Sequence, residues 1–336
     1  MMDQLLCCPR CRSTLNLSAQ KIRCTNTDCA YAGAGFPRID DQPVLIDFER
    51  SIFERDAYHR GNGSIMARDD SGRGPRVRLR RLLTGNNPIA PRLSRRLLAE
   101  AKSRSAYPRI LIIGGGAIGA GADILYRDKN VSIVGSDVYA SPNTHIVADA
   151  HFLPFRDTVF DAVWIQAVLE HVLEPAAVAS EIHRVLKAEG LVYADTPFMQ
   201  PVHEEAHDFS RFSLSGHRWV FRQFEEIEAG PVGGPGASLV WSIKYFFRSI
   251  GLSTPLATLA TFPFFWLRYA DSFARFSTKS DGACGTYFFG RRSERMLTPK
   301  DMPRYYMAKR DQALPGQRQG ATGTPQADAD RTDTAA

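Results

Sequence analysis

Short apolar runs alternate with helix-compatible segments through the middle of the chain. Each run is followed by a glycine or a polar residue, which is typical of strands buried on both faces of a sheet. Between two of the runs, Pro175 suits a first helical turn, apolar residues recur behind it at helical spacing, and Gly190 is expected to end the helix. The predicted strands are residues 110–113, 131–136, 145–148, 162–165 and 191–195. This alternation predicts an α/β fold on a parallel sheet with right-handed crossovers.

A glycine-rich turn follows the first predicted strand. It contains Gly114, Gly116 and Gly119, and Asp137 comes at the end of the second strand. Glycines let a turn pass close to a ligand, and a carboxylate at a strand end can accept the hydroxyl groups of a ribose. In such folds ligands bind at the carboxyl ends of the strands, where further polar side chains are expected from Asp149, Gln166 and Thr196. The sequence therefore predicts a site for a nucleoside-containing cofactor.

The glycine spacing alone also fits the dinucleotide fingerprint of dehydrogenases, with Asp137 about 20 residues further on. The stretch that follows separates the two possibilities. It reads as an acid, Leu-Pro-Phe, Phe-Asp, an apolar strand, Leu-Glu-His-Val, and a helix closing in Leu-Lys-x-x-Gly. These elements are Asp149 and residues 153–155, 160–161, 169–172 and 186–190.

With these linked motifs the chain resembles class I S-adenosylmethionine-dependent methyltransferases of the type 11 kind, over about residues 109–224 and a last strand at 286–290. The resemblance implies a Rossmann-like, seven-stranded sheet and S-adenosylmethionine as cofactor. It implies that Asp137 binds the ribose and Asp149 the adenine amino group. The other implied cofactor-binding residues are Gly114, Gly116, Gly119, Ala150 and Gln166. Two positions depart from the family pattern, because Ile112 and Ile118 stand where an acid and a further glycine are usual.

Five of the six cysteines lie in the first 29 residues. Cys8 and Cys11 form one short knuckle, Cys24 and Cys29 form another, and together they offer four thiolates to a tetrahedral zinc ion. The segment has few apolar residues, so metal binding would supply its folding free energy. A disulfide pair in an exported protein is the alternative, although no export signal is visible and the cytoplasm is expected. A ligand set that uses Cys7 with Cys11 also stays open.

Residues 36–46 read Phe-Pro-Arg-Ile-Asp-Asp-Gln-Pro-Val-Leu-Ile and resemble the end of small zinc-ribbon (Trm112-like) modules. Residues 1–48 are therefore interpreted as a zinc ribbon with a short sheet, and residues 49–107 as a linker with a basic helix. Residues 61–74 are expected to form a flexible loop. The formal net charge is only +6, yet ten Lys/Arg face a single acid between Arg73 and Arg104. In the predicted helix 88–102 these arginines indicate a solvated face, or contact with RNA or an anionic membrane surface.

The segment after the fifth strand, residues 196–213, is dense in ionisable groups. It resembles the same segment of methyltransferases from glycan and other cell-surface pathways, and methyl transfer to a hydroxyl needs a base. His203 and His207 are the candidate bases, and Asp208 is a candidate to orient either. A structural alternative is that Asp208 pairs with Arg211 to hold the loop.

Residues 238–276 form an insert that is rich in aromatic residues. Prolines interrupt it, so we expect a buried helical cap over the acceptor pocket, or a segment in the membrane interface, rather than a transmembrane helix. The methyltransferase domain is expected to span residues 108–295, and residues 311–336 are polar and expected to be disordered.

The sequence thus predicts a methyltransferase that acts on a small or lipid-linked polar acceptor, such as a glycan or cell-surface precursor. An RNA methyltransferase of the ribosomal guanine type stays open, because such enzymes also join a cysteine-rich module to this fold. A non-catalytic zinc-ribbon adaptor stays open as well, since Ile112 replaces an acid of the cofactor motif.

Overall fold

The computed structural model describes residues 2–18, 21–59 and 88–311. The predicted flexible loop 61–74, the part of the basic segment before residue 88 and the predicted disordered tail from residue 312 lie outside the described residues.

Eleven strands are found in the described residues. They are β1 Leu15–Asn16, β2 Arg23–Cys24, β3 Arg38–Ile39, β4 Gln42–Pro43, β5 Arg109–Ile113, β6 Ser132–Asp137, β7 Ile146–Val147, β8 Phe160–Gln166, β9 Leu186–Pro197, β10 Phe224–Val232 and β11 Gly285–Arg292. The α-helices of the same residues are α1 Ala30–Gly33, α2 Arg55–His59, α3 Ile89–Arg104, α4 Asp123–Arg127, α5 Pro175–Val185, α6 Leu214–Val220, α7 Pro235–Ser249, α8 Thr254–Ala260, α9 Leu267–Ala270, α10 Phe276–Asp281 and α11 Asp301–Asp311. All five strands predicted from the apolar runs, and the last strand, are present.

Seven of the strands form one sheet in the order β10-β11-β9-β8-β5-β6-β7. Neighbouring strands from β9 to β7 are parallel, whereas β11 is antiparallel to both β9 and β10. The order reverses beside β5, between β8 and β6, and that position is where ligands of open α/β sheets bind. The predicted Rossmann-like, seven-stranded methyltransferase fold is therefore confirmed.

The central strands are apolar on both sides, because both faces of the sheet are covered. In β5, Leu111 and Ile113 belong to one buried cluster, and Ile110 and Ile112 belong to another. The predicted basic helix, α3, covers the second face with buried leucines. The first face is covered by α5 and by the N-terminal cysteine-rich module.

The N-terminal module adds to the edge of the main sheet. Val44 pairs with Val147 of β7, and the amide of Leu45 donates to the Val147 carbonyl at 2.7 Å. A second contact joins the amide of Cys7 to the carbonyl of Pro154 at 2.9 Å. Because an uncovered edge strand exposes unpaired backbone groups, this docking protects β7. Two short hairpins, β1-β2 and β3-β4, supply the small sheets of the module.

The helix that begins at Pro175 ends earlier than predicted. It stops at Val185, and Leu186 already belongs to β9, where it is fully buried opposite Phe160. The expectation that Gly190 ends the helix was therefore wrong. Glu189 lies within β9, where the register against β8 shifts, and its backbone is left-handed at φ 61°. At this position, burying Leu186 against β8 contributes more to the stability of the fold than one more helical turn would.

The aromatic insert is helical, and it consists of α7, α8, α9 and a short 3-10 turn at Phe262–Phe264. Many of its large apolar side chains are exposed and others, such as Trp241 and Phe265, are half-buried, so the insert is not the fully buried cap that was one of the two expectations. The exposed ones within residues 238–276 are Leu239, Phe246, Ile250, Leu256, Leu259, Phe262, Phe264, Trp266, Tyr269 and Phe273. Small residues such as Val240 and Ala257 face the inside instead. Among the described residues, no helix has the length and apolar character needed to span a bilayer.

The chain continues past β11 into a helix that the sequence did not indicate. α11 packs against the outer strand β10, where the hydroxyl of Tyr305 donates to Glu226 at 2.8 Å and Lys309 forms an ion pair with the same carboxylate.

Candidate cofactor and acceptor site

The glycine turn after β5 is shaped by close backbone contacts. Gly114 has φ +77°, and a Cβ at this position would lie 2.3 Å from Cγ2 of Val168. The amides of Gly114 and Gly115 both donate to the carbonyl of Ser136, at 2.9 and 3.0 Å. A side chain at residue 114 would therefore both strain the backbone and collide with Val168, which follows β8.

Asp137 ends β6 and faces this turn. Its Oδ2 accepts the amide of Gly116 at 2.7 Å, and its Oδ1 accepts the amide of Val138 at 2.7 Å. The side chain is nearly buried. A carboxylate fixed in this way is oriented at the end of a central strand, where the sequence predicted it.

Asp149 is the second residue after β7 and is also buried. Its Oδ1 accepts the amide of His151 at 3.0 Å and lies 2.6 Å from Nδ1 of the same residue. Its Oδ2 accepts the hydroxyl of Ser51 at 2.5 Å. Burial works to raise the pKa of Asp149, but the hydrogen bonds from His151 and Ser51 outweigh it and lower this pKa below the ordinary value. Asp149 is therefore an anionic acceptor group at the wall of the site.

A cavity of about 500 Å³ lies at these strand ends. It is lined by five of the predicted cofactor residues, namely Gly114, Asp137, Asp149, Ala150 and Gln166. Gly116 and Gly119 shape the turn beneath it, since a Cβ on Gly116 would meet the Tyr139 ring at 2.4 Å and one on Gly119 would meet Oε1 of Gln166 at 2.4 Å. The structure thus brings all seven predicted residues to one place.

The sequence did not predict one wall of the cavity. Residues 50–54 and Tyr58, which were interpreted as the start of a linker, line it together with the strand ends. The hydroxyl of Tyr58 donates to the Val138 carbonyl at 2.6 Å, and the guanidinium of Arg50 lies 4.1 Å from the ring centre of Phe152. This segment contains no recognisable motif. It reaches the cavity because it follows the module, which docks on β7.

Gln166 is held by a buried polar group at the end of β9. Its Nε2 donates to Asp195 at 3.1 Å, and the hydroxyl of Tyr193 donates to the same carboxylate at 2.7 Å. Burial raises the pKa of Asp195 to about 6. The next residue, Ala167, has a left-handed backbone at φ 52°, which concentrates strain at the cavity wall.

The loop that carries the candidate bases is fixed by an ion pair. Arg211 forms a two-pronged pair with Asp208 and also donates to the carbonyls of Gln200 and Pro201 at 3.0 and 3.1 Å. Although burial works to raise the pKa of Asp208, the hydrogen bonds from Arg211 lower it to about 2. This arrangement is the structural alternative that the sequence allowed for Asp208 and Arg211.

Of the three predicted catalytic residues, His207 lines the cavity, whereas His203 and Asp208 are not among its lining residues. His203 packs edge-on against His171 with ring centres 5.4 Å apart, and its Nδ1 lies 3.4 Å from Asp208. His171 lines the cavity too.

Glu170 lies next to His171 and is fully buried. Burial raises the pKa of Glu170 to about 8, and within the described part of the chain neither carboxylate oxygen has a hydrogen-bond partner. Both residues belong to the Leu-Glu-His-Val motif, which predicted the fold but no site at these two positions.

The four predicted metal ligands of the N-terminal module also cluster. Sγ of Cys8 lies 3.8 Å from Sγ of Cys29, and Sγ of Cys11 lies 3.4 Å from Sγ of Cys24. All four sulfur atoms lie within 4.8 Å of one another and are free thiols. Cys7 is outside this cluster and is buried where the module meets the sheet.

Residues 120–194 match the family model described as a methyltransferase domain. This stretch includes Asp137, Asp149 and Gln166, and it covers less than a quarter of the chain. The centre of the chain is similar to a methyltransferase domain. No curated protein matches the sequence.

Several solved structures are similar to the chain at low sequence identity. A sarcosine dimethylglycine methyltransferase from Galdieria sulphuraria is 17% identical, with 62% of this chain and 87% of that chain covered and a TM-score of 0.42. Phosphoethanolamine N-methyltransferase 2 from Haemonchus contortus is 17% identical, with coverages of 75% and 62% and a TM-score of 0.41. A chain from the complex of the Haloferax volcanii Trm112 methyltransferase activator with a methyltransferase is 18% identical, with coverages of 59% and 89% and a TM-score of 0.37.

We predict that Gly114→Ala destabilises the protein by about 1–3 kcal/mol, because it adds backbone strain and a contact with Val168. Gly216→Ala is the matched control, since its new Cβ would lie 3.4 Å from Oγ of Ser213, an ordinary contact inside α6. Chemical unfolding followed by tryptophan fluorescence measures both. Equal midpoints for the two variants would show that the turn is not constrained as the structure indicates.

Proposed function

We propose that the protein is an S-adenosylmethionine-dependent methyltransferase. The proposal rests chiefly on the carboxylates of Asp137 and Asp149, which border one cavity at the strand ends beside a turn that tolerates only glycine at residue 114. These residues fit the cofactor: Asp137 would hold the ribose, and Asp149 with Ala150 would hold the adenine. When bound, the cofactor supplies an electrophilic methyl group.

The acceptor would enter at the end of the cavity lined by His171, Val172, Leu173 and His207. This end combines apolar side chains with imidazoles, which suits a polar group carried on an apolar body. His207 is our candidate base: for a hydroxyl acceptor, its imidazole would take the proton as the oxygen forms its bond to the methyl carbon. Asp208 and Arg211 would keep the loop in place.

The exposed aromatic insert supports a lipid-linked acceptor and contact with a membrane surface. The hydroxyl of Tyr245 in α7 donates to the carbonyl of Val202 at 2.5 Å, so the insert touches the loop that carries the candidate bases. Lys244 and Arg248 lie over the half-buried rings of Trp241 and Tyr245, on the helix that also carries the exposed Phe246. Such a surface suits the interface of an anionic bilayer, which exposed aromatic residues enter while cations meet the headgroups.

The described part of the basic segment gives less support to an RNA substrate. Arg92 and Arg96 both pair with Glu228, and Lys102 pairs with Asp128. A phosphate-binding face needs cations that are free to neutralise phosphate groups. We therefore keep RNA, and the non-catalytic adaptor, as outcomes of the tests below.

The first prediction concerns the cofactor. Asp137→Ala should weaken binding of S-adenosylhomocysteine by about 1.5–3 kcal/mol, the scale of a lost charge-assisted hydrogen bond in a buried site. Isothermal titration calorimetry measures this, and Asp123→Asn on the exposed side of α4 serves as the control. Tighter binding of NADH than of S-adenosylhomocysteine would point to a dehydrogenase, and no binding of either would favour the adaptor.

We further propose that Cys8, Cys11, Cys24 and Cys29 bind one zinc ion. Zinc–sulfur bonds of about 2.3 Å in a tetrahedron place the sulfur atoms about 3.8 Å apart, close to the separations found here. Zinc would hold the module together and thereby hold β7 and the cavity wall, because residues 44–54 connect the two. The buried carboxylate of Asp47 reinforces this link through Tyr31 of the module and through Arg50.

Elemental analysis of protein purified without chelator should find about one zinc per chain, lost in Cys24→Ser. Cys7→Ser is the control, since Cys7 is buried outside the cluster. Loss of zinc in Cys7→Ser with retention in Cys8→Ser would move the ligand set to the Cys7 alternative, and an intact disulfide between the knuckles would exclude the site.

The acceptor class can be tested with methyl-labelled S-adenosylmethionine added to fractionated cell extract. Label should enter the lipid or small-molecule fraction, and His207→Ala should lower its transfer about 10² to 10⁴-fold while changing affinity for S-adenosylhomocysteine less than about threefold. Phe246→Ser combined with Leu259→Ser should reduce co-flotation with phosphatidylglycerol vesicles. Label in RNA with no effect of His207→Ala would contradict this acceptor class.

A further inference from the structure

Glu170 lies beside the acceptor end of the cavity, and its carboxylate has no hydrogen-bond partner among the described residues. The side chain of Glu170 is fully buried, and among the described residues neither of its oxygens receives a hydrogen bond. Burying such a group without a partner is costly, so its position calls for a cation or a proton.

The neighbouring His171 presents a lone pair to this carboxylate. Its Nδ1 lies 2.7 Å from the carbonyl of His207, which can only accept, so Nδ1 carries the proton. Nε2 of the neutral ring is then an acceptor. It is buried, has no hydrogen-bond partner among the described residues, and lies 3.6 Å from Oε1 of Glu170. Two acceptors thus face each other in a buried site. A backbone hydrogen bond that fixes one ring nitrogen is the usual outer support of a metal-binding histidine.

His203 completes the group from the opposite loop. The carbonyl of Glu170 accepts the amides of Phe209 and Ser210 at 2.7 and 3.2 Å, which ties that loop to the Glu170 backbone. Nδ1 of His203 lies 3.3 Å from the Pro201 carbonyl, 3.4 Å from Asp208 and 3.5 Å from Nη2 of Arg211. Two of these three neighbours are acceptors, which favours a proton on Nδ1 and leaves Nε2 as a ligand atom.

We propose that Glu170, His171 and His203 bind a divalent first-row transition ion. One ligand atom from each of them lies within 4.8 Å of the others. Bonds of about 2.0–2.2 Å to nitrogen and oxygen need these atoms within about 4 Å, so small side-chain movements suffice. Two imidazoles and one carboxylate form a three-ligand set that suits such ions and leaves coordination positions open.

The coordination positions that the three side chains leave open are relevant to how the acceptor binds. Because His171 lines the cavity, a bound ion would be accessible from the end where we place the acceptor, and an acceptor oxygen could become its ligand. This consequence rests on the proposed function, whereas metal binding itself does not. His203 then acts as a ligand rather than as the base that the sequence suggested, and His207 stays free for that role.

A proton on Glu170 is the alternative to a metal ion at this site. A protonated Glu170 that donates to Nε2 of His171 would also relieve the clash between acceptors, without any metal. The two cases differ in whether the side chains bind a metal ion, so metal binding decides between them.

Manganese(II) added to zinc-loaded protein is a suitable probe, since hard Mn²⁺ competes poorly for thiolates. Electron paramagnetic resonance should show about one bound Mn²⁺ per chain, and Glu170→Gln and His203→Ala should each weaken binding at least about tenfold. Glu205→Gln on the exposed face of the same loop and His183→Ala on α5 are controls that should bind as the unaltered protein does.

Nitrogen couplings from directly bound imidazole provide a readout that needs no variant. They should appear in the spin-echo spectrum of the unaltered protein and change on ¹⁵N-histidine labelling, even if Glu170→Gln does not fold. Absence of bound Mn²⁺, or binding without imidazole couplings or unaffected by the two replacements, would overturn the proposal. Calorimetry with S-adenosylhomocysteine on the same sample keeps this outcome separate from failure of the proposed function.

Discussion

The hydrogen bond between the amide of Gly116 and the carboxylate of Asp137 joins the turn after β5 to the carboxyl end of the neighbouring strand β6. It requires the turn after β5 to lie within bonding distance of the end of β6, and only a glycine at residue 114 leaves room for Val168 on the other side. Asp137, Asp149 and Gln166 keep their places because the strands behind them are buried on both faces. The cavity depends on this packed frame.

The N-terminal module contributes to the same cavity. Its backbone pairs with the edge strand β7, and the residues that follow the pairing include Ser51, whose hydroxyl meets Asp149. Asp47 is fully buried between Tyr31 of the module and Arg50 at the cavity wall. A change in the cysteine cluster would therefore reach the cavity through a short run of backbone. Through this connection the module supports the wall of the cavity.

Much of the frame could be predicted from the sequence, because strands buried on both faces and the glycine turn leave clear patterns. The positions of Asp137 and Asp149 at strand ends were predicted, since Asp137 ends β6 and Asp149 is the second residue after β7. Ser51 and Tyr58 were not found, because their role comes from docking against β7 and leaves no periodicity. The exposure of Phe246 and Leu259 also escaped prediction, since composition alone does not show which face of an insert packs. Glu170 was recognised as part of a motif, but its lack of a partner is a property of the folded environment.

The central claim is that a nucleoside cofactor binds between the strand ends and the segment that follows the module. Hydrogen–deuterium exchange of zinc-loaded protein, with and without saturating S-adenosylhomocysteine, tests it most directly because it reports on backbone amides along the chain. The account predicts slower exchange on binding in residues 50–58, 114–119 and 149–152 together. Protection confined to other segments, or none in residues 50–58, would contradict it.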